Sequence, residues 1–181
     1  MQEEPATSMN GTFDPVTVDQ MKCRVGSILL LWSRIERAVD ADIEALGGVA
    51  RRPGEGFAQR LAAWERLLEE ADAGRRFETD FRTEVLARIR AVQDIRNRLC
   101  HGLLGVTADP SGHYGDAELR TELNGEVRAY GRDALDRCIT VMAHLDRAIG
   151  AVGRVAREPD DARASALVAA TRGNHMPEWD G

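Results

Sequence analysis

The chain has 181 residues, 43% of them hydrophobic and 30% charged, which suits one folded domain with short tails. A net charge of −6 excludes a protein that coats nucleic acid by bulk positive charge, so any such site must be a local patch. Three widely separated cysteines, Cys23, Cys100 and Cys138, with no CxxC pair, exclude a disulfide framework and a zinc knuckle and fit a reducing cytoplasm.

Residues 1–15 are rich in Pro, Gly and Thr, carry no basic-then-apolar leader pattern, and are expected to be disordered. A first helix is expected from about Val18 to Leu46. Thr17 with Gln20 three residues on forms a capping-box signal at its start, and Gly47-Gly48 ends it. Val18, Met21, Val25, Ile28, Trp32, Ile35, Val39, Ile43 and Leu46 repeat at three and four, as one buried face requires. Leu29, Leu30 and Leu31 widen that face, so the middle of the helix is expected to be buried on several sides. The apolar run Ile28–Trp32 is bracketed by Arg24 and Arg34 and is too short to span a bilayer, so no membrane association is expected.

A second helix is expected over about Phe57–Ala71, with Phe57, Leu61, Trp64 and Leu68 inward, and a third over about Arg76–His101, with Phe77, Phe81, Val85, Ile89, Val92 and Leu99 inward. Gly102 follows as a C-terminal cap. The period then changes. Leu103–Ala108 is short and apolar, Asp109-Pro110-Ser111-Gly112 is a turn, and Glu118–Leu123 and Glu126–Tyr130 flank Asn124-Gly125, the strongest short hairpin signal. A fourth helix is expected from Asp133, its candidate cap, to about Ala156, with Leu135, Ile139, Met142, Leu145, Ile149 and Val152 inward and Pro159 as a stop. The expected architecture is all-α: an antiparallel four-helix bundle over 16–157, with a small antiparallel β-hairpin insert at 103–131 before the last helix. Residues 158–181 form a flexible tail with a weak helix near Ala164–Ala170.

The chemistry concentrates at Asp94-Ile95-Arg96-Asn97-Arg98-Leu99-Cys100-His101-Gly102. Arg96 falls on or beside the stripe Val85, Ile89, Val92, Leu99, where a cation is costly unless it is paired or faces a cleft. Asn97 and His101 are four apart and share a face, whereas Arg96 and His101 lie about 140° apart around the axis and can flank one groove. On the first helix Glu36 interrupts the stripe Leu29, Trp32, Val39, Ile43 and is the candidate partner for Arg96. Structural readings stand beside these. Arg96 and Glu36 could be a buried interhelical ion pair, and Asp94 with Arg98 a helix-surface pair. His101 could simply satisfy terminal carbonyls, and Arg88, Arg90, Arg96 and Arg98 could be solvated arginines on a charged helix.

The run Arg96-Asn97-Arg98-Leu99-Cys100-His101 resembles the Arg-x4–6-His motif of the HEPN superfamily, in which Asn commonly follows the Arg. The wider resemblance covers about Val18 to Ala156, with Trp32-Ser33-Arg34-Ile35-Glu36 on the long first helix and the motif on a later one; the hairpin insert departs from the plainest form. It implies a HEPN-like bundle acting as a homodimer, and a metal-independent endoribonuclease of the toxin or phage-defence kind. It further implies Arg96 and His101 as the catalytic pair, Asn97 as the orienting residue, and Glu36 and Arg98 in support. RNA is the implied substrate, 2′,3′-cyclic phosphate ends the product, and an antitoxin protein a possible partner, with no cofactor, no metal and no DNA expected. The alternative is a non-catalytic helical dimer of the same type that binds RNA, a nucleotide or a partner protein. The remaining candidates are weaker. His113, His144 and His175 lack metal-ligand spacing, Trp32 and Trp64 read as core, and Cys100 beside His101 points about 100° away from it.

Overall fold

Thr17 starts the first helix as its spacing to Gln20 requires. Its hydroxyl accepts the Gln20 N–H at 3.2 Å, and the Gln20 side chain accepts the Thr17 N–H at 3.1 Å, which closes the capping box of α1 (Val18–Ala45). Leu46 caps the far end, and Gly47 takes the left-handed turn at φ +83° that a side chain would resist. The chain is seen here in a computed structural model that describes residues 16–50, 54–71, 76–107 and 117–173. The expectations for residues 1–15, for the turn at Asp109–Gly112, and for the side chain of Phe77 lie outside the described residues.

Two further helices, α2 (Phe57–Ala71) and α3 (Arg76–His101), follow in the expected places. Leu61, Trp64 and Leu68 of α2 and Phe81, Val85, Ile89, Val92 and Leu99 of α3 are buried, at the spacing that sends one helix face inward. The insert is a three-stranded antiparallel sheet, β1 (Leu103–Thr107), β2 (Glu118–Leu123) and β3 (Glu126–Tyr130), with β2 in the middle. Asn124 and Gly125 both have positive φ, +55° and +79°, as a two-residue hairpin turn demands. Along β2, Leu119 and Thr121 are buried and Glu118, Arg120 and Glu122 exposed, so one face of the sheet rests on the helices.

The next helix, α4 (Arg132–Arg157), does not use Asp133 as its cap. Gly131 holds that position without a side-chain bond, and Asp133 sits within the first turn, two residues on, where its charge complements the positive helix end. Pro159 interrupts the chain as expected. The region expected to be a flexible tail then contains a helix, α5 (Asp161–Gly173), longer than the weak one anticipated. Asp160 caps it by accepting from the N–H groups of Ala162 and Arg163 at 2.9 and 3.0 Å. Ala164 and Val168 of α5 are buried in the core.

The chain is therefore mostly helical with a small antiparallel sheet. The largest helix interface is between α1 and α4, and α3 and α5 also pack on α4. Arg24 clasps Asp136 through two bonds of 2.8 and 2.9 Å, and Arg34 pairs with Asp146, so charges flank the apolar α1–α4 seam. Ile28, Trp32, Ile35, Val39 and Ile43 are buried, as their periodicity predicts. Leu29 and Leu30 correct the expectation of burial on several sides, because they are 40% and 72% exposed. Among the described residues no helix is long and apolar enough to cross a membrane.

Cysteine accessibility gives a direct check on this packing. Cys138 is buried and its thiol is pushed up to about 12 by burial, whereas Cys23 and Cys100 are exposed. A thiol reagent at neutral pH should modify Cys23 and Cys100 in the native protein and reach Cys138 only after denaturation, as read by mass spectrometry.

Candidate functional site

The last two turns of α3 separate the motif residues by direction. Ile95 and Leu99 point inward, and Arg96 and Asn97 are half-buried beside them. The Arg96 guanidinium lies over the Trp32 ring, 5.8 Å from its centroid, and Nη1 donates to Asn97 Oδ1 at 3.1 Å. A cation over an indole face gains about 0.5–2 kcal/mol, depending on how dry the contact is. Arg96 Nε is buried and donates to nothing. An unpaired buried N–H costs about 1–3 kcal/mol, and Arg60 Nε carries the same cost although the other Arg60 donors are paired.

Glu36 does not pair with Arg96. Its carboxylate accepts from Arg60 Nη2 at 3.1 Å, and Arg60 Nη1 also bridges both oxygens of Asp40 at 2.7 and 2.8 Å. Arg60, buried on α2, is the partner of the Glu36 carboxylate in place of Arg96. The sequence held a sign of this, since Arg60 is three residues after Phe57 and four before Trp64 and so falls on the inward stripe of α2. Arg60 is the same anomaly as Arg96, one helix earlier, and it is the nearer partner for Glu36.

Arg98 is engaged in ion pairs with Asp94 and Glu126. It is 4% exposed, donates from Nε to Asp94 at 2.9 Å and from Nη1 to the Glu126 carbonyl at 3.1 Å, and also pairs with the Glu126 carboxylate. Arg128 joins from β3, with Nε to Glu126 at 2.7 Å and Nη1 to Asp94 at 3.2 Å. The Asp94–Arg98 pair expected at four-residue spacing is present, but inside a network that fastens the β2–β3 hairpin to α3. Hydrogen bonding to Asp94 raises the pKa of Arg98. Arg128, and then Arg98, hold the Glu126 carboxyl below the ordinary carboxylate range. The folded-state pKa of Glu126 is thus lower than its unfolded value. Its contribution is complete at neutral pH and is lost as pH falls through the depressed folded value. Glu126→Gln should therefore flatten the acid limb of a Tm-against-pH curve relative to the wild type.

His101 occupies the exposed final turn and its imidazole makes no hydrogen bond among the described residues. The chain beyond it is held tightly. Gly102 N–H donates to the Arg98 carbonyl at 2.9 Å, and Glu122 N–H donates to the Gly102 carbonyl at 2.7 Å. A Cβ on Gly102 would overlap the Glu122 carbonyl, so the cap must be glycine for β2 to lie this close. The imidazole is therefore free at the end of an anchored segment.

No protein-family model, curated protein or solved structure matches this chain. The structure brings Arg96 and Asn97 together, leaves His101 open to solvent, and draws Glu36 and Arg98 away into other pairs. Of the other histidines, His144 is half-buried on α4, and His113 and His175 lie outside the described residues. Among the described residues no group of three or more His, Cys, Asp and Glu is placed to hold a metal ion. A groove of about 530 Å³ lies elsewhere, between the end of α1 and α2, with Ile43, Gly48, Gln59, Arg66 and Leu67 in its walls and none of the motif residues.

A second buried polar cluster escaped sequence reading. Asp42 is 5% exposed and accepts from Trp64 Nε1 at 2.8 Å and Arg157 Nη1 at 3.0 Å, joining α1, α2 and α4. It fits because position 153 on α4 is glycine, where any Cβ would overlap the carboxylate. The sequence held a sign of this too, since Asp42 is three residues after Val39 and four before Leu46 and so falls on an inward stripe of α1.

Proposed function

We propose that this protein is a metal-independent endoribonuclease of HEPN type, built on an antiparallel bundle of α1–α4, with Arg96, Asn97 and His101 as its working residues. The observation that carries the proposal is the state of Arg96, a half-buried guanidinium with no carboxylate partner at the head of an Arg-Asn-x3-His run whose histidine is exposed. Cleavage of RNA by its own 2′-hydroxyl forms the 2′-O–P bond and breaks the P–O5′ bond. It needs an acceptor for the hydroxyl proton and a donor for the departing 5′ oxygen, and an imidazole serves as either near neutral pH. Negative charge builds on the non-bridging oxygens of the phosphorane, and a guanidinium with spare donors stabilises it there.

Because Arg96 and His101 point in different directions, a homodimer that apposes two motifs is the natural way to complete the site. The exposed Leu29 and Leu30, on the same helix as Trp32, supply apolar surface for such a contact. The biological setting that accords with the resemblance is a cytoplasmic toxin or phage-defence component restrained by an antitoxin protein. The same exposed leucines favour a second reading, a non-catalytic helical dimer that binds RNA, a nucleotide or a partner protein.

The test is incubation of the purified protein with RNA in EDTA, beside Arg96→Ala. Cleavage by the wild type alone, leaving 2′,3′-cyclic phosphate and 5′-hydroxyl ends, supports the nuclease. Binding without cleavage replaces it with the second reading.

A further inference from the structure

Among the described side chains, half-buried and buried arginines follow a rule with one exception. Arg24 pairs with Asp136 at 2.8 Å, Arg60 with Asp40 at 2.7 Å, Arg82 with Glu69 at 3.9 Å, Arg88 with Glu84 at 2.9 Å and Arg98 with Asp94 at 2.9 Å. Among the residues whose side chains the structure describes, Arg96 alone at that depth has no carboxylate. The two groups it meets are neutral: the Trp32 ring beneath it and the Asn97 amide oxygen beside it. Trp32 cannot swing away. It is 4% exposed and its ring meets Phe57 edge-on at 4.7 Å and 70°, and Phe57 in turn lies under the Arg60 guanidinium at 5.4 Å.

A carboxylate would grip Arg96 more firmly, but it would cancel the charge and have to be displaced by any incoming anion. An aromatic face orients the guanidinium plane and leaves its charge and outer N–H donors uncommitted. We infer that Trp32 is a positioning residue for Arg96, holding the guanidinium un-neutralised and in a fixed plane to receive a phosphodiester oxyanion. The role of the oxyanion rests on the nuclease reading above, whereas the Trp32–Arg96 geometry can be tested without RNA.

The first arm is NMR on the full-length protein with ¹⁵N-labelled arginine, the Arg96 Nε–Hε signal being assigned by its disappearance in Arg96→Lys. The wild type should show nuclear Overhauser contacts from Arg96 to the indole ring protons and an Hε signal shifted upfield by the ring. Trp32→Leu should remove that shift, and Trp32→Phe should keep part of it. The second arm is RNA cleavage. Trp32→Leu should lose about 10²-fold in kcat, the scale of a misplaced catalytic contact, with KM changed far less, and Trp32→Phe should recover most of that loss.

Absence of the indole contacts in the wild type overturns the inference, and that result needs no variant to fold. An Hε signal unmoved in Trp32→Leu also overturns it, as does a wild type that cuts RNA no faster than Trp32→Leu. Intact RNA with the wild type sinks the nuclease reading by itself, and the NMR arm then still decides whether Trp32 holds Arg96.

Discussion

Replacing His101 with alanine is expected to slow RNA cleavage by about 10²- to 10⁴-fold, the usual contribution of a proton-transferring side chain. The same change should leave Tm within about 2 °C of the wild type. The second half of that expectation follows from the structure. His101 is exposed, its side chain makes no hydrogen bond among the described residues, and it stands on a turn already fixed by Gly102 and Glu122. A capping histidine would behave in the opposite way, with a lower Tm and unchanged activity. Parallel cleavage and thermal-melt measurements on His101→Ala therefore separate the catalytic role from the structural one, and a wild-type cleavage rate in the variant rejects His101 as a catalyst.

The largest stability effect is expected at Gly153. A methyl group there would occupy the volume of the Asp42 carboxylate, which is bonded to Trp64 and Arg157. Gly153→Ala should either push Asp42 off both donors or open the α1–α4 seam. Overpacking of a filled interior and orphaning of a buried acceptor each cost about 1–3 kcal/mol. A loss of about 3 kcal/mol, or roughly 10 °C in Tm, is the expected result. In an Asp42→Ala background the carboxylate is gone and the added methyl has room, so Gly153→Ala should cost little there. A double-mutant cycle by denaturant unfolding measures this coupling, and additive effects would show that the two positions do not meet.

Most of the helical scaffold was legible in the sequence because it depends on local and periodic signals. Thr17 and Gln20, the Gly47-Gly48 stop and the Asn124-Gly125 turn each fix the backbone through their own chemistry, and each lies where expected. The errors share a cause, which is that a stripe of residues states that a face is buried without stating by what. Leu29 and Leu30 extended the apolar run of α1 but remain exposed. Glu36 was matched to Arg96 by the oddity of both positions, when the neighbouring α2 carried a third misplaced charge in Arg60. Arg98 gave no sequence sign that a hairpin more than twenty residues later would fold back onto it. The motif was readable as a set of residue types. Its electrostatic state, with Arg96 left un-neutralised over Trp32, required the packing of α1 against α3.

The hairpin that folds back onto its parent helix has a kinetic consequence. Arg98 reaches Glu126 across 28 positions of chain, whereas the Arg24–Asp136 and Arg34–Asp146 clasps each close a span of 112. The entropy of loop closure grows with span, so low-contact-order pieces assemble ahead of distant ones. In refolding followed by pulsed hydrogen exchange, amides of β2 and β3 should gain protection before those at the α1–α4 seam. The segment bearing His101 would thus acquire its shape while the two longest helices are still searching for each other.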